Sequence, residues 1–126
     1  MNRWKIPANL ESTVIERDRS CVYCGISFEG ALSSRSSRPS WEHIVNDARI
    51  VTPENIALCC IACNASKGTK GLAVWLQSKY CTTRGITERT VASVVQAALA
   101  RAQGSLSITS NEASECIRLE RGIPLR

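Results

Sequence analysis

Apolar residues recur along this chain at spacings that divide it into short elements. Leu10 and Val14 stand four apart with Ile15 beside them, which predicts a helix opening around Ile6-Pro7-Ala8 and running to Arg17, with Asn9 as its expected cap. From Pro39 to Val45 the pattern is that of a strand, with Trp41, His43 and Val45 on one face and Glu42 and Ile44 on the other. Asn46-Asp47-Ala48-Arg49 turns the chain, and Ile56-Ala57-Leu58 predicts a second short strand. A short helix is expected from Cys60 to a stop at Gly68. Leu72, Trp75, Leu76 and Tyr80 mark one further amphipathic helix ending near Lys79. The strongest helical signal is Thr87 to Gln103, where Val91, Val94, Val95, Ala98, Leu99 and Ala102 repeat at three and four and Gly104 ends the run. Ser105 to Ser110 reads as a polar linker, and a last helix is expected from Asn111 to Arg121.

Helices with two strands give an α+β class. At 126 residues one domain is expected, with a core small enough to gain from a structural metal. The net charge of +5 is spread along the chain and suits a polyanionic partner. Seven cysteines are present; an odd number without an export signal argues against a secreted disulfide framework. The N-terminus lacks an apolar run after its charges, and no stretch reaches the length of a membrane span. These features predict a cytoplasmic protein with reduced thiols and no membrane partner.

Four of the cysteines form two Cys-x-x-Cys pairs, Cys21 with Cys24 and Cys60 with Cys63. Each such turn sets two sulfurs on one side of a metal, and two turns complete a tetrahedral zinc shell. A shell of four thiolates leaves no open position, so this zinc is structural. A thioredoxin-type redox pair fits less well, because there are two pairs and no clear βαβ pattern. Cys59 reads as a small buried hydrophobe next to a ligand.

The segment between the knuckles holds the only histidine, His43, directly after Glu42. Phosphodiester hydrolysis needs a base for water, a cation on the developing charge and positive groups on the phosphate. His43 has the ordinary pKa of such a base, and Glu42 offers a hard oxygen to a divalent ion. Neighbouring strand residues point to opposite sides, so a bulge or the strand's end must re-aim the pair. Asn55 can hold the imidazole tautomer, Asn64 can give the metal an amide oxygen, and Lys67 on the same helix face can hold a phosphate. Arg35 and Arg38, in a serine-rich exposed loop from Ser27 to Ser40, are further candidates for phosphate contact.

Cys-Val-Tyr-Cys-Gly, then Glu-His-Ile-Val, then Asn-Ile-Ala-Leu-x-Cys-x-x-Cys-Asn-x-x-Lys-Gly resembles the zinc-containing branch of the HNH endonucleases, within the ββα-metal or His-Me finger nucleases. The resemblance covers roughly residues 7 to 80 and includes the lead-in Val14 to Asp18. It implies a small ββα-metal core braced by zinc on Cys21, Cys24, Cys60 and Cys63. It implies His43 as general base, Asn55 as its orienting residue, and Glu42 and Asn64 as ligands of a catalytic Mg²⁺ or Mn²⁺. Lys67 matches the lysine that follows the third motif position. Two departures are visible. Glu42 stands where the family usually has Asp, and Asn46-Asp47 stand where proline commonly follows.

The expected organisation is a nuclease domain over residues 1–80 and a helical C-terminal extension over 81–126, packed on or beside it. The expected function is metal-dependent DNA endonuclease. The alternative is a zinc-braced nucleic-acid-binding module without cleavage. A third option is an interaction domain whose C-terminal helices receive a second copy or another protein.

Overall fold

The computed structural model describes residues 5–30 and 34–111, with side chains through residue 102. Helix α1 (Ala8–Arg17) begins as expected. Pro7 takes the cap position in extended backbone and no side chain caps the helix, so Asn9 lies inside its first turn. Leu10 and Val14 are buried; Ile15 is half exposed and does not join their face.

Strands β1 (Pro39–His43) and β2 (Ile56–Cys60) form a two-stranded antiparallel sheet in which Trp41 pairs with Leu58, Glu42 with Ala57 and His43 with Ile56. All five residues of β2 are buried, because both faces of the strand are covered. On one face Ile56 and Leu58 pack with Ile6, Leu10, Val14 and the flanking Trp41, which is the α1 side. On the other, Ala57 and Cys59 join Val22, Tyr23, Ile44 and Trp75 in the larger core. This is a helix-on-sheet layer with a second layer behind it.

Helix α2 (Ile61–Lys67) follows β2 without a break and lies against β1. One helix was expected over residues 72–80; two short ones are present, α3 (Leu72–Leu76) and α4 (Lys79–Arg84). Ser78 divides them: its hydroxyl accepts from the Cys81 backbone N–H at 3.3 Å and caps α4. Gly85 closes α4 at φ 70°. Helix α5 (Ser93–Asn111) starts six residues later than the periodicity suggested, because Thr87 and Thr90 bond to each other in a turn first. It then runs through Gly104 and the expected linker. A glycine inside a helix costs about 1 kcal/mol and does not stop one lacking any other terminator. Val91, Val95 and Ala98 are buried as expected, whereas Ala102 is exposed. The expected helix beyond Asn111 lies outside the described residues, as does Cys116.

The stretch after residue 80 enters the main core, since Cys81, Ile86, Val91, Val95 and Ala98 share it with Cys21, Val22 and Tyr23. Ala92 N–H also donates to Val22 O at 2.8 Å, tying the approach to α5 to the first cysteine turn. Among the described residues no helix is long and apolar enough to cross a membrane.

An ion pair at the end of α1 locks the two layers in register. Asp18, 6% exposed, accepts from Arg17 Nε at 2.7 Å and from the Leu58 backbone N–H at 3.0 Å. Arg17 in turn donates to Pro53 O at 2.7 Å and Ile56 O at 2.8 Å. Removing the carboxylate strands the buried Leu58 N–H and takes the partner from a partly exposed arginine. Asp18→Ala is therefore expected to lower unfolding free energy by about 2 kcal/mol, read from urea midpoints at unchanged slope.

Candidate metal centre and active site

The first cysteine turn folds back because Gly25 takes φ 81°, a conformation that costs glycine little. Gly25 N–H donates to Cys21 O at 3.0 Å, and Ser20 and Ser27 bridge below it. The second turn is the junction of β2 and α2. Cys60 is the cap of α2 and its sulfur accepts from Cys63 N–H at 3.4 Å. The long-range result is convergence: the sulfurs of Cys21, Cys24, Cys60 and Cys63 all lie within 4.8 Å of one another. Cys24 Sγ and Cys60 Sγ are 3.8 Å apart. Zinc–sulfur bonds of about 2.3 Å in a tetrahedron demand sulfur separations of about 3.8 Å.

The surroundings favour thiolates. Backbone N–H groups of Tyr23 and Cys24 donate to Cys21 Sγ, both at 3.4 Å, and Tyr80 O–H donates to Cys63 Sγ at 3.4 Å. Without metal the four groups compete. A hydrogen bond from Cys63 lowers Cys21 to about 5, and that same bond pushes Cys63 up. Burial pushes Cys24 up to about 11. Charge is accepted readily at Cys21 and resisted at Cys24 and Cys63, which is the condition a bound dication relieves. The donor set thus fits zinc. Cys59, fully buried, is not among the converging sulfurs, and its thiol is raised by burial.

Glu42 faces α2. It is 5% exposed, and its Oε2 accepts from Tyr23 O–H at 2.6 Å and from Lys67 Nζ at 2.9 Å. Lys67 was expected on the surface, holding phosphate. It is 1% exposed, and Nζ also donates to His43 O at 3.4 Å, so this residue is no phosphate contact. The reason is geometric. α2 packs on the Ser40–Glu42 face of β1, and the last turn of the helix points its lysine stem into that seam.

Asn64 lies one turn earlier on the same helix. Its amide Nδ2 donates to Ser40 Oγ at 2.9 Å and to Trp41 O at 3.0 Å, which fixes it across the seam from β1. Glu42 and Asn64 are thus brought to the same interface. The cation at this interface is the Lys67 ammonium, which neutralises the Glu42 carboxylate and stands where a divalent ion would have to bind.

His43 is the last residue of β1 and is 9% exposed. No bulge interrupts the register through His43, so alternation along the strand separates its surroundings from those of Glu42. By the pleat, His43 shares the face of Trp41, and Glu42 shares that of Ser40. Burial lowers the imidazole's proton affinity below the ordinary 6.5; Glu42 and Asp47 oppose that shift and Lys67 adds to it. Asp47 is held down to about 2 by its exposed partner Arg49.

Asn55 does not bond the imidazole. It is 2% exposed, its Oδ1 accepts from Val45 N–H at 2.7 Å, and its Nδ2 donates to Val45 O at 3.2 Å and Ile50 O at 3.1 Å. Its role is to pin the loop that leaves His43, and Ile44 N–H, donating to Asn55 O at 2.9 Å, closes the same clasp. Asn55→Ala leaves those loop groups unsatisfied and is expected to cost about 2–3 kcal/mol in denaturant unfolding. Arg35 and Arg38 are exposed, the first opening a short 3₁₀ turn (Arg35–Ser37) and the second following it. Sequence reasoning missed Tyr23 and Tyr80. The signal for Tyr23 was available: an aromatic inside a Cys-x-x-Cys turn must go somewhere, and its ring packs edge-on against Trp75 at 4.8 Å.

No protein-family model, curated protein or solved structure matches the chain.

Proposed function

We propose that the chain is a nucleic-acid phosphodiester hydrolase of the HNH kind, a DNA endonuclease in which His43 is the base that takes a proton from the attacking water. The observation that supports this most is the sole imidazole, buried at the end of β1 where burial lowers its proton affinity, directly after a carboxylate that is already paired with a cation. Neutral imidazole at pH 7 is what a general base requires. Asn55 fixes the loop behind it, so the ring's backbone cannot drift. Glu42 and Asn64 would hold a divalent ion, which when bound would polarise the phosphate and stabilise the leaving oxygen. Arg35 and Arg38, exposed at the start of β1, supply positive charge for a polyanion. The four-thiolate zinc supports the two segments that meet at β1 and carries no chemistry itself.

The test is nicking of supercoiled plasmid by zinc-loaded protein with Mg²⁺ or Mn²⁺ across a pH series. A base whose folded pKa is depressed below 6.5 is neutral above that value and protonates only as pH falls further. The rate is therefore expected to hold level from pH 8 to the mid-6 range and to fall below it. The same group binds more protons unfolded than folded, so its contribution to stability is also lost as pH drops below 6.5. A rate that rises with acidity contradicts the assignment.

One observation favours a second reading. Oε2 of Glu42 is committed to Tyr23 and Lys67, as in a structural ion pair. A zinc-braced module that binds DNA without cutting it would show salt-sensitive binding, unchanged in His43→Ala, and intact plasmid at every metal concentration.

A further inference from the structure

We infer that Tyr80 is a positioning residue of the zinc centre: its hydroxyl supplies Cys63 with the hydrogen bond that α2 withholds, and so helps set how tightly the four thiolates hold their metal. This rests on the zinc reading of the cluster and stands whether or not the chain cuts DNA.

A zinc-bound thiolate carries charge, and donors aimed at its sulfur stabilise it. The cysteine turns supply such donors from the backbone. Cys21 Sγ accepts from the N–H groups two and three residues on, those of Tyr23 and Cys24, both at 3.4 Å. Cys60 Sγ accepts from Cys63 N–H at 3.4 Å. Cys63 is placed differently. It is the third residue of α2, so the N–H groups two and three residues on, those of Ala65 and Ser66, point back along the helix to the carbonyls of Ile61 and Ala62. Its sulfur lies in a fully buried residue and cannot turn to water instead. The donor that reaches it comes from another helix: Tyr80 O–H, at 3.4 Å.

The phenol is held in place for this. Tyr80 lies in the first turn of α4, whose start is fixed by the Ser78 cap and whose next residue, Cys81, is fully buried in the core. Its ring centroid is 6.0 Å from that of Trp75, which itself packs against Tyr23 in the first cysteine turn. The Arg84 guanidinium sits 3.8 Å over the Tyr80 ring, and Arg84 Nη1 donates to Tyr80 O at 3.4 Å. The division expected at residue 80 therefore falls inside a helix that serves the metal centre.

The experiment compares the full chain with Tyr80→Phe, which removes the hydroxyl and keeps the ring. Zinc affinity is read by competition with a chromophoric chelator, and the sulfur-to-metal charge-transfer absorption is read on the Co²⁺-loaded protein. Zinc binding is expected to weaken about tenfold or more, the usual cost of losing a group that bonds a metal ligand. The charge-transfer band is expected to move to longer wavelength, because a sulfur relieved of its donor gives up electron density more easily. An unmoved band overturns the inference even where zinc binding weakens, since lost packing accounts for that result. Unchanged zinc affinity overturns it as well.

If Tyr80→Phe does not fold by near-ultraviolet circular dichroism, the natural sequence carries the test, with tyrosine replaced throughout by its analogue fluorinated ortho to the hydroxyl. Fluorine makes the phenol a stronger donor, and the chain's other tyrosine, Tyr23, donates to Glu42 and not to a sulfur. The band of the Co²⁺-loaded protein is then expected to move to shorter wavelength. A band that stays in place, or moves to longer wavelength, overturns the inference.

Discussion

Stripping metal from the four-cysteine cluster is expected to unfold the protein outright. The sulfurs of Cys21, Cys24, Cys60 and Cys63 join two segments distant in sequence: the turn after α1 and the β2–α2 junction. Binding of a structural zinc contributes on the order of 10–16 kcal/mol in zinc-finger peptides, against a total stability of about 5–15 kcal/mol for an ordinary domain. The remaining core is small and centres on Tyr23, Trp75 and Val95, which flank the cluster and lose their register with it. A chelator strong enough to take the zinc should therefore abolish the cooperative thermal transition, and zinc should restore it. Cys60→Ala and Cys63→Ala are expected to behave like the stripped protein. Cys59→Ala is the internal control. It removes a buried thiol next to a ligand but outside the cluster, and should cost only about 1 kcal/mol while one zinc per chain is retained. Zinc content by elemental analysis alongside calorimetry separates the two cases.

What the sequence disclosed depended on how local the cause was. The cysteine turns follow from spacing and one glycine. α1 follows from Leu10 and Val14, and β2 from a short apolar run. Failures arose where a few side chains outweighed periodicity. Ser78 splits one expected helix into α3 and α4, and the Thr87–Thr90 turn delays α5. The site was legible as a set of residue types but not as a set of contacts. A lysine three residues after Asn64 reads as a solvated end of a helix. Only the packing of α2 on β1 reveals that it is buried against Glu42. Asn55 was expected to orient the His43 imidazole, but its side chain bonds the backbone of Val45 and Ile50, a choice set by loop geometry that spacing does not encode. Arg17 and Asp18 ended the predicted helix in the sequence pattern, and their task of clamping α1 to β2 appears only once the layers are stacked.

His43→Ala is expected to remove cleavage and leave the fold. A positioned base contributes about 10²- to 10⁴-fold, and the chain has no second histidine to stand in for it. The ring ends a strand whose five ladder pairs use only backbone, so its loss leaves the register intact. The stability cost should be about 1 kcal/mol, far below that of losing a zinc ligand. The deciding measurement is the single-turnover rate at which zinc-loaded protein converts supercoiled plasmid to open circles in Mn²⁺, wild type beside His43→Ala at matched zinc content and melting behaviour. The account predicts nicking by the wild type and at least about a hundredfold less by the variant. Equal rates in the two proteins, or intact plasmid with both, would contradict it.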